Sequence, residues 1–285
     1  MKKTTWLAIC MAAVCALVTG CSSETEEPEG IVYDAGEWVI DGTTVWLYKG
    51  TARDVHIPAG VTVIGRRAFD FRKEVVESVT IPAGVTIIDD YAFYGCTKLA
   101  SVEIPESVAM IGMCAFQNCK SLTDVQIPGS VKAIGNSAFY KCGKLTSVTI
   151  HEGVTSTGDQ AFWGCTSLTD VTIPGSVKAI GNYAFYDCGN LTSVTIHEGV
   201  TSIGDNAFED CSGLKNVTIP VSVERIGDSA FSWCTSLDTV TYGGTKEEWE
   251  RIKKGSDIFY TKVTKITDKD RNTFAVNADG GITNN

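Results

Sequence analysis

Apolar residues recur along most of this chain in one fixed order. In a representative stretch they fall at Leu122, Val125, Ile127, Val131, Ile134, Ala138, Phe139 and Cys142, and Leu145 begins the order again. The dipeptide Ala-Phe ends at Phe69, Phe93, Phe116, Phe139, Phe162, Phe185, Phe208 and Phe231, at intervals of 23 residues after a first interval of 24. A fixed period of this length predicts a solenoid of stacked units, here eight coils. Within each coil, Val125-Gln126-Ile127 and its equivalents alternate apolar, polar, apolar with β-branched residues, the pattern of a half-buried strand. Six of the seven prolines (Pro58, Pro82, Pro105, Pro128, Pro174 and Pro220) directly follow that isoleucine and end the strand, because proline has no N–H to give a ladder and its φ is fixed. A second extended piece, Val131 to Ile134, leads to a turn at Gly135, and Ala138-Phe139 fills the interior from a tight or one-turn helical corner. A single coil has nothing to bury its apolar face against, so stability is expected to come from neighbours. At about 4.8 Å per coil, eight coils make a rod about 38 Å long.

The pattern also predicts the ends. Glu37 to Ile40 and Thr43 to Tyr48 flank Asp41-Gly42, a hairpin signal, so residues 31–56 are expected to form a β-hairpin cap on the solenoid at 57–241. In the C-terminal cap and tail, 242–285, Thr245 and Glu248 form a capping-box pair for a short helix through Lys254, stopped by Gly255, with Trp249 and Ile252 on one face. Residues 256–276 read as a further hairpin, and the polar tail from Asn277 as loose.

The repeated string Cys-x-x-Leu-x-x-Val-x-Ile-Pro-x-x-Val-x-x-Ile-Gly-x-x-Ala-Phe resembles the BspA-like leucine-rich repeats of bacterial surface proteins, over residues 57–241. The resemblance implies a right-handed leucine-rich-repeat solenoid, mainly β with short helical corners, and a role in adhesion to host matrix proteins or other microbes. Thr157 in place of an inward isoleucine, Asp89 in place of the glycine, and His151 and His197 in place of proline depart from the string and affect local packing. Residues 127–172 and 173–218 are identical at most positions, the mark of a duplicated two-coil block.

Composition and charge add a location. Lys2 and Lys3 precede an apolar stretch from Trp6 to Gly20 that is too short for a membrane-spanning helix and reads as an export signal over 1–20. Leu17-Val18-Thr19-Gly20-Cys21 resembles the lipobox of bacterial lipoproteins, which implies lipidation at Cys21. Residues 21–30, acidic and without an apolar side chain after the cysteine, then form a flexible lipid-anchored tether. The acidity of this tether resembles the tag that sends Bacteroidetes-type lipoproteins to the outer membrane, facing the cell exterior. A formal charge of -10 argues against nucleic acid and anionic lipid as partners.

Candidate chemistry is sparse. Cys96, Cys119, Cys142, Cys165, Cys188, Cys211 and Cys234 share one slot, and a parallel ladder points them all inward, so buried free thiols are expected rather than disulfides; such a ladder does not converge on a tetrahedral metal site. Cys114 occupies the slot of Tyr91, Ser137 and Asn206 and is expected to be partly exposed. His56, His151 and His197 have no spacing suited to zinc or a triad, and no cofactor motif appears. Glu152 and Glu198, two coils or about 10 Å apart, lie near the carboxylate separation of inverting glycosidases, which leaves glycan hydrolysis as a remote reading beside exposed turn residues. Two rows remain for binding. Tyr94, Tyr140, Trp163 and Tyr186 each follow the inward phenylalanine, and either form an exposed aromatic edge or fold down as rim packing. Glu103, Gln126, Thr149, Thr172 and Thr195 stand outward between the buried Val and Ile, on a broad polar strip that suits an extended partner or is simply a good exposed strand. The leading expectation is a non-catalytic cell-surface protein that binds an extracellular protein or glycan. The alternative is a spacer within an envelope assembly.

Overall fold

The computed structural model describes residues 32–34, 36–259, 263 and 265–283; the signal segment, Cys21 and the tether lie outside the described residues. Coil after coil, the half-buried strands line up in parallel and in register. Asp124–Ile127, Ser147–Ile150, Asp170–Ile173, Ser193–Ile196, Asn216–Ile219 and Thr239–Tyr242 form one continuous row, with Val125 beside Val148 and Val171 beside Val194. Asp54–His56, Ser78–Thr80 and Ser101–Glu103 form a matching row in the first coils. A second face carries two-residue strands, Val63–Ile64, Ile87–Ile88 and Met110–Ile111 at one end and Ala179–Ile180, Ser202–Ile203 and Arg225–Ile226 at the other, linked by single bridges through Ile134 and Ser156. Parallel, in-register pairing is what identical units require: it places each apolar side chain over its own counterpart and buries them together.

In the first coil a single 3-10 turn, Asp70–Arg72, follows Phe69; in the later coils the third side is a tight corner rather than a helical turn. From the second coil on, each Ala-Phe pair is bracketed by two residues in the left-handed region, such as Ser137 (φ 56°) and Lys141 (φ 56°), or Tyr183 (φ 56°) and Asp187 (φ 57°). Left-handed residues at this spacing turn alternate N–H groups the same way. Those of Ser137, Phe139 and Lys141 donate to Asp159, Ala161 and Trp163 of the next coil at 2.8, 2.8 and 2.7 Å. A helical turn would have closed these bonds within one coil. Here they tie coil to coil, offsetting the roughly 1–2 kcal/mol that a left-handed non-glycine residue costs.

Inside, the phenylalanines stack. Centroids from Phe93 to Phe231 are 5.0–5.3 Å apart, with rings parallel to within 9°. The stack exceeds the Ala-Phe count by one ring at each end, with Tyr48 5.5 Å from Phe69 and Phe259 5.8 Å from Phe231. The terminal segments are thus degenerate coils that continue the core. At the N-terminus, β1 (Val32–Asp34), β2 (Trp38–Asp41) and β3 (Thr44–Tyr48) form an antiparallel sheet, and β3 pairs in parallel with Val63–Ile64.

At the C-terminus the expected helix is shorter. Helix α1 (Lys246–Arg251) starts with a full Thr245/Glu248 capping box but ends before Lys254, because Ile252 turns extended and Lys253–Lys254 joins the short strands beside Arg225–Ile226. Trp249 and Ile252 are buried. The 256–276 hairpin contracts to Lys265–Thr267 against Thr273–Ala275, since residues 256–259 make another corner. Residues 277–283 of the tail are tied down by hydrogen bonds rather than loose. The coil-to-coil corner N–H groups all point toward this end, and the tail receives the last of them: Asp279 Oδ1 accepts from Asp257 N at 2.7 Å, and Ala278 O from Phe259 N at 2.8 Å. Gly280 O takes the buried Trp249 Nε1 at 2.8 Å. Cutting the tail would orphan these donors.

Candidate binding surface

Two threonine rows run along the long strands, and they differ in what their hydroxyls do. Thr146, Thr169 and Thr192, one residue before each strand, donate to the preceding coil at Thr123 O, Thr146 O and Thr169 O, 3.0–3.5 Å away. Thr149, Thr172 and Thr195, the outward residues of the strands, are exposed, and their hydroxyls have no hydrogen-bond partner among the described residues. Gln126 stands beside Thr149 in the same row, Thr218 and Thr241 continue it, and Thr267 of the terminal hairpin extends it further. The last was hidden because its strand breaks the repeat. Glu103 is exposed beside Thr80 on the N-terminal strands.

Of the two arrangements open to the aromatic row, an exposed edge or rim packing, the rings take an intermediate one, half-buried and discontinuous. Tyr94, Tyr140, Trp163 and Tyr186 are all half-buried, and Gln117 interrupts them. On one side of the break Tyr94 packs on Tyr91, 5.7 Å away, while the guanidinium carbons of Arg66 and Arg67 lie 5.2 and 5.3 Å from the Tyr91 centroid. On the other side Trp163 is the hub of a four-ring cluster, with Tyr140 at 5.6 Å, Tyr186 at 4.4 Å and Tyr183 at 5.3 Å. Tyr91 and Tyr183 were missed as surface residues. Both sit two positions before the core phenylalanine, in a left-handed slot that aims them at the same row. Cys114 shares that slot yet is only 7% exposed; its small side chain sinks beneath neighbours where tyrosine reaches past them, and burial raises its thiol pKa.

Glu152 and Glu198 turn out to be staples between coils. The Glu152 carboxylate accepts from Gly175 N and Ser176 N at 3.2 and 3.1 Å, and Glu198 does the same with Val221 N and Ser222 N at 3.1 and 3.2 Å. In return Ser176 and Ser222 accept from Gly153 N and Gly199 N. His151 and His197 fit the proline slot because their N–H groups are used, donating to Ile127 O and Ile173 O at 3.0 Å. The duplicated two-coil block is therefore an alternating interlock in which a His-Glu-Gly turn meets a Pro-Gly-Ser turn. A Cβ added at Gly129 would lie 2.0 Å from Glu152 O, whereas one at Gly143 would meet only the Thr166 hydroxyl at 3.7 Å. Gly129→Ala is therefore expected to destabilise by about 1–3 kcal/mol and Gly143→Ala to be near neutral, as read by urea unfolding; equal effects would refute the interlock.

The family model of the BspA type leucine rich repeat region matches six copies, over residues 45–169 and 132–262. The chain belongs to this BspA-type family. Among solved structures, the T. pallidum leucine rich repeat protein TpLRR is 28% identical, covering 76% of this chain and 91% of its own, with a TM-score of 0.51. A leucine rich cell surface protein from Faecalibacterium prausnitzii A2-165 is 24% identical over 81% of this chain and 99% of its own (TM-score 0.39), and a leucine-rich repeat protein from Bacteroides ovatus 21% over 84% and 92% (TM-score 0.32). None of the curated proteins is significantly similar to the chain.

In this BspA-type solenoid the cysteine slot is a packing position. Cys119, Cys142, Cys165, Cys188, Cys211 and Cys234 donate their thiols to the phenylalanine carbonyl of the preceding coil, at 3.1–3.3 Å. All seven ladder cysteines and Cys114 are free and buried. A small, weakly donating side chain suits a buried carbonyl in a tight corner. Among the described residues no three His, Cys, Asp or Glu side chains converge to hold a metal, and no helix is long and apolar enough to cross a membrane. A hollow of about 560 Å³ lies in the C-terminal cap, lined by Lys246, Lys265, Asp268 and Asp270 among others. The Asp268 carboxylate is spent on the turn, accepting from Asp270 N and Asn272 N.

Proposed function

We propose that the chain is a non-catalytic binding protein, anchored by a lipid at Cys21 to the outer membrane and facing the cell exterior, whose long-strand face captures an extracellular protein or glycan. The observation that carries the reading is the contrast between the two threonine rows. Hydroxyls needed for coil stacking are bonded, while those of Thr149, Thr172 and Thr195 are left facing solvent in a straight row, with Gln126 beside them. A straight row of free donors and acceptors on a rigid scaffold suits an extended partner, which meets them without reorganisation of the protein.

The test exchanges the rows. Thr149→Val, Thr172→Val and Thr195→Val together keep β-branched strand residues and remove only hydroxyls, so stability is expected to hold while a ligand found by screening extracellular proteins and glycans binds about tenfold or more weakly. Thr146→Val with Thr169→Val is expected to cost about 0.5–1.5 kcal/mol per lost bond and leave binding intact. A screen that returns no ligand, or a ligand indifferent to the triple variant, would overturn the reading. Recovery of only the cell's own envelope proteins would assign the spacer role instead. Protease treatment of intact cells tests display: shaving of the solenoid is expected, and full protection would refute it.

A further inference from the structure

We infer that the cluster of Tyr140, Trp163, Tyr183 and Tyr186 is a stacking site for a neutral carbohydrate chain. The inference rests on the reading of the chain as a binding protein and narrows its ligand. Its first support is the geometry of the rings. The inner phenylalanines are parallel and fully buried, whereas Tyr140 and Tyr186 are tilted by 47° and 42° to Trp163 and all four outer rings are half-buried. Part of each ring therefore meets solvent while its neighbours hold it in place, so little side-chain entropy is lost when a ligand lands on it. The rings span three consecutive coils, about 10 Å along the stack, enough for more than one pyranose ring.

The second support is what borders the rings. The other positions of these corners and the next that reach the surface are Ser137, Lys141, Gln160, Asp187, Asn206, Glu209 and Asp210. None is aliphatic. A sugar offers C–H faces for the rings and equatorial hydroxyls for the amides, carboxylates and ammonium that border them. Charge excludes the acidic sugars. Burial and then the carboxylates of Glu209, Asp210 and Asp187 raise the pKa of Tyr186, and burial and then Asp210 raise that of Asp187, with Lys141 acting against them there. A uronate or sulfate would meet unbalanced negative potential. The Tyr91 and Tyr94 pair is the poorer platform: it has two rings, with Arg66 and Arg67 both against Tyr91. In the four-ring cluster Lys141 lies 5.2 Å from the Tyr140 centroid and, among the described residues, leaves Trp163 and the other tyrosines clear of a cation.

The mature protein would be titrated calorimetrically with neutral gluco-, xylo- and manno-oligosaccharides, and with polygalacturonate and a sulfated polysaccharide. Two variants use residues the fold already accepts in the same slots: Trp163→Gln, since Gln117 follows Phe116, and Tyr183→Asn, since Asn206 precedes Ala207. At least one neutral series is expected to bind, the polyanions not, and each variant to weaken binding about tenfold or more with unchanged melting. Absence of neutral-sugar binding, preference for a polyanion, or binding unchanged in Trp163→Gln would overturn the inference. If a protein ligand is nonetheless found and is lost in the threonine triple variant, only the carbohydrate inference fails; if neither sugar nor protein binds, both readings fail.

Discussion

Phe162→Ala is expected to destabilise the solenoid by about 3–5 kcal/mol, the range for emptying a buried aromatic site. Phe162 is fully buried between Phe139 at 5.3 Å and Phe185 at 5.1 Å. The gap cannot close, because the corner bonds from Phe139 N to Ala161 O and from Phe162 N to Ala184 O, both 2.8 Å, hold the three coils at their spacing. Because each coil is stabilised only by its neighbours, the loss should also divide the array. Hydrogen exchange is expected to accelerate most in the coils of Phe139, Phe162 and Phe185, and least near Tyr48 and Phe259. A uniform loss of protection, or a cost under about 1 kcal/mol in urea unfolding, would show that the coils do not share one stacked core.

Alkaline pH is expected to unfold the protein abruptly. Burial raises the pKa of all seven ladder thiols, and at Cys142 it reaches about 12, against about 8.5 for a solvated cysteine. In the unfolded chain these thiols ionise near the lower value; in the fold they keep their protons. The folded state therefore binds more protons above pH of about 8.5, and stability, complete below that value, falls as pH rises toward the folded pKa. The slope is about 1.4 kcal/mol per pH unit for each thiol, or about 10 for the ladder of seven, comparable to the whole stability of an ordinary domain. Melting temperature should be flat below about pH 8 and collapse between about pH 9 and 11. Cys142→Ala with Cys165→Ala should flatten the fall by roughly two parts in seven. An undiminished melting temperature at about pH 10.5 would mean that the thiols are not buried as free thiols.

The repeat itself was legible because its physics is local and reiterated. Val125-Gln126-Ile127 followed by Pro128 states a half-buried strand and its end, and eight copies of Ala-Phe at one period leave no architecture but a stack. Exposure of Thr149, Thr172 and Thr195 followed from strand alternation alone. The corners were not legible. Tyr91, Cys114, Gln160 and Tyr183 carry no turn signature, and nothing in their side chains favours a left-handed backbone. They adopt it because the next coil offers carbonyls to their N–H groups.

The same distinction separates the rest. Sequence alone determined the period, the inward and outward faces of the strands, the buried thiol row and membership of the BspA-type family, since each depends on alternation or repetition within a coil. Tertiary structure decided that Glu152 and Glu198 clamp the next coil, that Trp163 gathers Tyr140, Tyr183 and Tyr186 while Gln117 leaves Tyr94 apart, and that a polar tail closes the C-terminal end. Those features arise between coils, where hydrogen bonds pass from one unit to the next and a residue's role is set by what stands at the same slot in its neighbour.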